Sequence, residues 1–318
     1  RYTMQSNNLK PTITLEDVFS LFITKNQEFK SMELNALFQM YLKMQEGKVR
    51  PDTIKMYQDH IPGMIGFFCS CGAYETKHIN QTLIERYIKF CLSRGNKNIT
   101  INKRIGMLTA MFKRTSDAGL ITMPEYTVAK LKEAKAKIEI IQKDDVIKIL
   151  KRIDTMKLSH QVIIYILLST GIRRNEVVNI KIHNIDFKNK SIYLEHTKSG
   201  KPRYCYFGEK LESLLKLQIT KAVPGNPYLF PSKTGHMDKQ TVSGFLYYLK
   251  KILDIDILSS HKFRHLYATQ LLKNGADIYT VKELLGHEKL ENTQRYLDFT
   301  NEEIKLNNFK YNPLNNFE

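Results

Sequence analysis

Apolar residues recur at helical spacing through the first third of the chain. Residues 12–30 have apolar side chains one turn apart and acidic residues just after Thr14, which predicts an amphipathic helix. The same periodicity predicts four further helices, at residues 32–44, 51–69, 81–92 and 100–118. Pro51 is a favoured first residue of a helix. We therefore expect an all-helical domain, residues 31–122, after an N-terminal extension, residues 1–30.

The pattern changes in the second half of the chain. Residues 123–141 hold few large apolar side chains and several lysines, and we interpret them as a basic linker. After an apolar helix at 160–169 the period becomes two, which predicts three short antiparallel strands at 185–187, 191–196 and 203–207. Helices are predicted for the rest. The expected fold is mainly α with a small antiparallel β-sheet, in which a mixed α/β domain covers residues 142–300 and a C-terminal segment covers 301–318.

The chain carries 49 Lys and Arg against 32 Asp and Glu, a formal net charge of +17. This excess favours a polyanionic partner, because basic groups that neutralise phosphates release condensed counterions. The alternative is a highly soluble basic protein, since a charged helix face is often only a solvated face. The candidate DNA-contacting residues of the helical domain and linker are Arg50, Lys55, Lys97, Lys103, Arg104, Lys135 and Lys137.

Several classes of protein are not indicated. No apolar run approaches the roughly 20 residues of a membrane span, and the spacing of the four cysteines fits no metal site. We expect no metal, no cofactor and no membrane, and we interpret the cysteines as reduced thiols of a cytoplasmic protein. The sequence starts at Arg1, and we expect further residues upstream of it.

Four separated segments hold polar groups that suit a phosphodiester. In the first, Gly171 allows a turn, and Arg173 and Arg174 then fall in the first turn of a helix, where cations oppose the helix dipole. An anion held between the arginines and the free N-terminal amides would remove this conflict. The alternative is two solvent-exposed arginines. Glu176, three residues after Arg173, could fix the guanidinium or orient a histidine.

The second segment is the tip of the predicted β-hairpin. A lysine at this turn could reach over a groove and give its proton to a leaving oxygen. Lys198 is the candidate, and Lys201 is both a rival for this role and a candidate DNA contact. Basic turn tips are common, so this segment alone predicts little.

The third and fourth segments add histidines and a tyrosine. His261, Arg264 and His265 have the spacing that places them on one helical face, and serines before them can cap the helix. His287 follows a helix that ends at a glycine, and Tyr296 lies nine residues later. Taken singly, a tyrosine on a helix is more often a packing residue than a nucleophile.

Together the four segments form a set that can surround one phosphate without a metal. The arginines and histidines would neutralise the charge of a pentacoordinate transition state. A tyrosine oxygen would attack phosphorus, and a lysine would protonate the departing sugar oxygen.

In these motifs the chain resembles the tyrosine recombinases of the phage-integrase family, most densely between residues 274 and 296. The family motif Thr-Gly-x-Arg-x-x-Glu is matched by residues 170–176, the His-x-x-Arg box by residues 261–264 and the Leu-Gly-His box by residues 285–287. The resemblance implies that Glu176 and His265 support a catalytic set made of Arg173, Lys198, His261, Arg264, His287 and Tyr296.

The resemblance also implies a fold and a mechanism. A helical core-binding domain and a mixed catalytic domain would close as a C-shaped clamp on double-stranded DNA. Tyr296 would form a 3′-phosphotyrosyl link, and the freed 5′-hydroxyl would attack the partner strand through a Holliday junction, without a cofactor. The implied partners are specific recombination sites, a homotetramer on two DNA sites and, where needed, accessory DNA-bending proteins, all in the bacterial cytoplasm or nucleoid. Residues 301–318 would dock on a neighbouring subunit through Ile304, Leu306 and Phe309.

Within this family we favour the integrase of a mobile element, because the helix predicted at 12–30 precedes the core-binding domain. We hypothesise that this helix packs against the same or a neighbouring subunit and regulates assembly. The alternatives are an Xer-type dimer resolvase, a type IB topoisomerase-like enzyme that relaxes DNA without exchanging strands, and a DNA-binding regulator without catalytic activity.

Overall fold

The computed structural model describes residues 30–133, 139–198, 200–233 and 235–297. The helix predicted at 12–30, the segment 301–318, Lys135 and Lys137 lie outside these residues. The chain divides into two compact units, Arg1–Lys135 and Ala136–Glu318. Among the residues described, no helix combines the length and apolar character that a membrane span requires.

The first unit is helical, as its apolar periodicity predicts. Its helices are α1 (Leu34–Gln45), α2 (Pro51–Ser70), α3 (Gln81–Ser93) and α4 (Asn98–Asp117), with a short 3-10 helix at Thr76–His78. Each begins within two residues of its predicted start. Local chemistry sets these starts: Pro51 opens α2, and the side chain of Asn80 accepts a hydrogen bond from the amide of Leu83 at the start of α3.

The first part of the predicted linker packs on this helical unit. Met123, Tyr126, Val128 and Leu131 are partly buried against its core. The hydroxyl groups of Tyr126 and Thr109 are 3.0 Å apart. The side chain of Asn102 bonds both the amide and the carbonyl of Leu131, at 2.9 Å each. The described residues 123–133 therefore lie along α4, because their few apolar side chains pack against the core of the helical unit.

The second unit combines helices with two small sheets. Its helices are α5 (Lys143–Ile153), α6 (Leu158–Thr170), α7 (Arg174–Val178), α8 (Glu209–Ile219), α9 (Lys239–Ile252), α10 (Ser260–Lys273), α11 (Ile278–Leu285) and α12 (Glu291–Gln294), with a 3-10 helix at Ile182–Asn184. The three predicted strands are present as an antiparallel sheet in the order β1 (Ile185–Asp186), β2 (Ser191–Leu194), β3 (Arg203–Tyr206).

A second, two-stranded hairpin was not predicted from the sequence. Its strands, β4 (Pro231–Ser232) and β5 (Gly235–His236), pair antiparallel. The expectation that only helices follow the first sheet is therefore wrong. Two-residue strands are too short to show an alternation of apolar and polar residues, so the sequence pattern could not reveal them.

Helix α6 forms the centre of the second unit. It is apolar on all sides, and Val162, Ile163, Ile164, Ile166 and Leu167 are fully buried. A helix of this kind is stable only when other elements cover it. It ends at Gly171, whose backbone is left-handed (φ +59°) and which faces the ring of Tyr267 on α10. Arg173 and Glu176, two of the candidate site residues, come shortly after this close turn.

We predict that Gly171→Ala destabilises the second unit. A Cβ atom there would lie 2.5 Å from Cδ1 of Tyr267, inside a packed ring contact, and the residue would also carry left-handed backbone strain. Gly225→Ala is the matched control, because Gly225 has a positive φ of 78° but open space around it. The control should lose about 1–2 kcal/mol of unfolding free energy, and Gly171→Ala about 1–3 kcal/mol more. Equal losses in denaturant titrations would contradict the packing argument.

Candidate active site

A buried carboxylate at the start of α7 organises the site. Glu176 is 3% exposed, and both of its oxygens accept hydrogen bonds from two arginines. Oε1 accepts from Nη1 of Arg173 at 3.2 Å and from Nη1 of Arg203 at 3.0 Å. Oε2 accepts from the backbone amide of Arg173 and from Nη2 of Arg203, both at 2.8 Å. A carboxylate offers about four acceptor sites, so these bonds use its full capacity.

The pKa of Glu176 reflects this environment. Burial by itself raises the pKa of the carboxyl, but the hydrogen bonds and positive charges of Arg203 and Arg173 outweigh it and bring the pKa below its ordinary value. Two guanidinium groups against one carboxylate leave a net positive charge at this turn. Such a charge favours the binding of an anion at this turn.

Two details of this turn differ from the sequence interpretation. Arg173 is the N-cap residue of α7 with extended backbone, not a residue of its first turn. Glu176 bonds the guanidinium of Arg173, one of the two roles considered for it, and also that of Arg203, which the sequence did not indicate. Arg174 is the first helical residue, and its guanidinium donates to the hydroxyl of Ser243 on α9. The two arginines are adjacent in the sequence, but their guanidinium groups bond different partners, Glu176 and Ser243.

Two arginines connect this turn to the end of α11. Arg264 is 4% exposed, and it donates from Nη1 to the carbonyl of Gly171 at 3.0 Å and from Nη2 to the carbonyl of Leu285 at 2.6 Å. Arg203 donates from Nε to the carbonyl of Leu284 at 3.2 Å. The last carbonyls of a helix lack partners within the helix and favour cations. The two guanidinium groups therefore fix the position of the turn that follows α11.

Tyr296 lies two residues after the end of α12, with its hydroxyl near a histidine. Its Oη is 3.0 Å from Nδ1 of His265, and its ring stacks near that of His287 with centroids 6.3 Å apart. Nδ1 of His287 is 2.8 Å from Oγ1 of Thr293. Tyr296 is 8% exposed and belongs to a small apolar cluster with Ala268, Val281 and Leu285.

The charged surroundings of Tyr296 set the protonation of the site. Burial and then the positive charge of Arg295 lower the pKa of His265 to about 4, and burial and then Arg264 lower that of His287 to about 4. Burial raises the pKa of Tyr296, with Arg264 opposing it. At neutral pH both imidazoles are therefore uncharged and the phenol is protonated. In the tautomer of His265 that carries its proton on Nε2, the hydroxyl of Tyr296 donates to Nδ1.

The remaining predicted site residues lie at the surface around this cluster. His261 lies at the surface on the first turn of α10, and the partial loss of solvent around its ring and then the charge of Arg264 lower its pKa. Lys198 and Lys201 are exposed on the turn between β2 and β3. The charge of Lys198 is among those that act on His261. Hydrogen bonds and ring contacts thus connect the buried residues of the predicted catalytic set. Its lysine, Lys198, lies apart from them on the exposed turn of the hairpin.

The predicted DNA contacts of the first unit fall into two groups. Arg50, Lys55, Lys97 and Lys103 are exposed. Arg104 is half-buried, and its guanidinium donates to the thiol of Cys91 at 3.8 Å. Arg104 therefore has a role in local packing, whatever else it contacts.

Sequence reasoning missed Arg203. Its partners are Glu176 and Leu284, far away along the chain, so no local motif contains them. One observation in the sequence could have revealed it. Side chains alternate between the two faces of a strand, and Arg203 shares its face with Cys205, which is buried. A charged residue on the inward face of a strand requires a buried partner.

Two family models match the chain. The model of the phage integrase family matches residues 139–303, just over half of the chain, and that of the phage integrase SAM-like domain matches residues 33–149. Tyrosine recombinase XerC of Lacticaseibacillus casei is 24% identical over 298 residues, which cover 88% of this chain and 99% of the relative. XerC of Staphylococcus epidermidis is 28% identical over 284 residues, covering 84% and 93%.

Solved structures with the same fold include the Tn1549 transposon integrase in complex with transposon right end DNA. It has a TM-score of 0.74 at 17% identity and covers 88% of this chain and 99% of that one. A lambda integrase dimer bound to a COC′ core site has a TM-score of 0.68 at 17% identity, covering 89% and 85%. The family match over residues 139–303 includes every buried residue of the site, and the chain therefore belongs to the phage integrase family, the tyrosine recombinases that cleave and rejoin DNA.

Proposed function

We propose that this protein is a site-specific recombinase that integrates or excises a mobile element, with Tyr296 as its nucleophile. The observation that supports it best is the hydrogen bond between Tyr296 and His265 beside the buried arginines. A phenol held by a neutral imidazole next to unbalanced positive charge suits attack on a phosphodiester. Arg173 and Arg203 share the single carboxylate of Glu176, so the set carries more positive charge than this carboxylate balances.

In the proposed reaction the scissile phosphate binds between the arginines and Tyr296. A guanidinium has five N–H donors, and the hydrogen bonds described above use one side-chain donor of Arg173 and two of Arg264, so donors are left for phosphate oxygens. His261 and His287 add further hydrogen bonds to these oxygens. The arginine charges and hydrogen bonds stabilise the pentacoordinate transition state.

The proposed bond changes are balanced by two proton transfers. Oη of Tyr296 forms a bond to phosphorus and passes its proton to Nδ1 of His265. The bond from phosphorus to the 5′-oxygen breaks, and that oxygen takes a proton from Lys198, or from its rival Lys201. The product is a 3′-phosphotyrosyl link and a free 5′-hydroxyl. The same steps in reverse, with the hydroxyl of a partner strand, rejoin the DNA through a Holliday junction.

We propose a homotetramer on two DNA sites as the active form. Exchange between two duplexes breaks four strands, and each break requires one tyrosine. The helical unit would serve as the core-binding domain, residues 142–300 as the catalytic domain, and residues 301–318 as a segment that docks on a neighbour. The two domains would close on DNA as a clamp in the bacterial cytoplasm or nucleoid, with accessory DNA-bending proteins where the sites require them.

An Xer-type dimer resolvase is the second candidate. XerC relatives match 88% of this chain and 99% of their own length, which favours it. The mobile-element proposal rests instead on the helix predicted at 12–30, which precedes the core-binding domain. Recombination between the ends of the surrounding element, compared with recombination between chromosomal dimer-resolution sites, separates the two. Plasmid relaxation without exchange of two sites would instead favour a topoisomerase-like enzyme.

We predict that the wild-type protein forms a covalent adduct with a nicked duplex taken from the DNA that flanks its gene. Tyr296→Phe should bind the same duplex and form no adduct, because only the attacking oxygen is lost. Both are run on a denaturing gel with EDTA present, and binding is measured in parallel. Binding without an adduct from either protein would contradict the proposal and favour a DNA-binding regulator.

We predict that the general acid is Lys198, with Lys201 as the matched control on the same turn. Lys198→Ala should slow single-turnover cleavage by about 10²–10⁴-fold, and Lys201→Ala should slow it little. A substrate with sulfur in place of the bridging 5′-oxygen should restore Lys198→Ala, because a thiolate leaves without a proton. If Lys201→Ala shows the large loss and the rescue, the assignment passes to Lys201.

We predict that His265 and His287 stay neutral in the DNA-free protein until the pH falls towards about 4. Their folded-state pKa values lie below the unfolded value of about 6.5, so the unfolded chain binds more protons. Stability from these groups is complete above about pH 6.5 and is lost as the pH falls through about 4. An NMR titration of the imidazole signals checks this, and midpoints near 6.5 would show that neither burial nor the arginines act as described.

A further inference from the structure

We propose that Arg203 is a positioning residue of the recombination reaction, which holds Arg173 and the turn before His287 in their working positions. The inference rests on the proposed roles of Tyr296 and Arg173. It assigns a role to a residue that lies outside the motifs that identify the catalytic set.

The first support is the carboxylate of Glu176. Arg203 contributes two of the four hydrogen bonds that this group accepts, in the parallel, bidentate geometry at 3.0 and 2.8 Å. The Arg203 side chain is 10% exposed and that of Glu176 is 2% exposed, so water cannot readily replace these bonds. Arg173 depends on the same carboxylate for its own side-chain contact. The orientation of Arg173 therefore depends on Arg203 through Glu176.

The second support is the other edge of the same guanidinium. Its Nε donates to the carbonyl of Leu284 at 3.2 Å. The next turn packs onto its side chain so closely that a Cβ atom on Gly286 would lie 2.9 Å from Cδ of Arg203. Gly286 has a left-handed backbone (φ +64°), and His287 follows it directly. One planar group thus spans the turn that carries Arg173 and the turn that carries His287.

Only arginine has the geometry for this role. Its donors lie in one plane at fixed angles, so Nη1 and Nη2 can meet a carboxylate while Nε meets a carbonyl beside it. A lysine has one ammonium group and can satisfy one of the two turns. Arg203→Lys is therefore a variant that keeps the charge and removes the bridge.

Arg203 also ties the hairpin to the two turns. It is the first residue of β3 and pairs with Leu194 of β2, and Lys198 and Lys201 lie on the turn between these strands. A hairpin fixed at its base by Arg203 carries its lysines in a defined register with Arg173. The bridge thus sets the relative position of three parts of the proposed site.

The test compares single-turnover cleavage by wild type, Arg203→Lys, Arg203→Met and Arg173→Ala on a nicked duplex. The matched control is Arg152→Lys, since Arg152 is an exposed arginine of α5 in the same unit. We expect Arg203→Lys to bind DNA like wild type and to cleave on the order of 10- to 100-fold more slowly, as is common when a residue that orients a reacting group is replaced. Arg203→Met, which removes the charge as well, should be slower still, and Arg152→Lys should cleave at the wild-type rate.

A second substrate separates positioning from a general loss of structure. Replacing one non-bridging oxygen of the scissile phosphate by a methyl group removes the negative charge that Arg173 is proposed to neutralise. Relative to wild type on the same substrate, the defects of Arg173→Ala and Arg203→Lys should shrink together, to within about threefold of wild type. Lys198→Ala should keep its defect, because the leaving oxygen is unchanged.

Two outcomes would contradict the proposed role of Arg203. Cleavage by Arg203→Lys at the wild-type rate would overturn the proposal, and so would an equal defect on both substrates, which indicates only a damaged fold. If Arg203→Met fails to fold, Arg203→Lys carries the test alone, because it keeps a cation near Glu176. Absence of an adduct from wild type on a duplex that it binds would instead refute the proposed function, which is a separate result.

Discussion

The structure of the second unit depends on the burial of one negative charge. A carboxylate inside a protein is stable only with charged partners and a full set of hydrogen bonds, and removing one partner from such a group typically costs about 3–5 kcal/mol. Glu176 meets this requirement with Arg173 from its own turn and Arg203 from the sheet. Because the buried carboxylate of Glu176 needs both arginines as hydrogen-bond donors, it joins α7 to β3. Arg264, through the carbonyls of Gly171 and Leu285, adds a parallel connection between the turn before α7 and the end of α11.

The same arrangement accounts for the electrostatics around Tyr296. Burial together with Arg264 and Arg295 keeps His265 and His287 neutral, and burial keeps the phenol protonated. Positive charge without a matching number of carboxylates is unfavourable in a protein until an anion binds. A DNA phosphate in this place would bring negative charge and relieve that repulsion. The described arginines therefore leave a surplus of positive charge at this place before DNA binds.

How much the sequence predicts depends on the distance between partners along the chain. The serine cap at the start of α10, the turn at Gly171 and the helix end before His287 follow from the local sequence, and the structure has them. Arg203 could not be placed in the same way, because its partners lie 27 and 81 residues away. Of the two roles considered for Glu176, the structure has the local one, a bond to the guanidinium of Arg173, and adds the distant Arg203. The packing of residues 123–133 on the helical unit also required tertiary contacts that a low apolar content does not reveal.

The central claim is that the buried arginines and Tyr296 converge on one phosphodiester. The crystal structure of Tyr296→Phe bound to an intact recombination site tests it most directly. We expect the scissile phosphate within about 3 Å of the guanidinium nitrogens of Arg173 and Arg264, beside the ring at position 296, with the Glu176–Arg203 bridge retained. A phosphate bound elsewhere on the second unit, with Arg264 facing only its two carbonyls, would contradict the account.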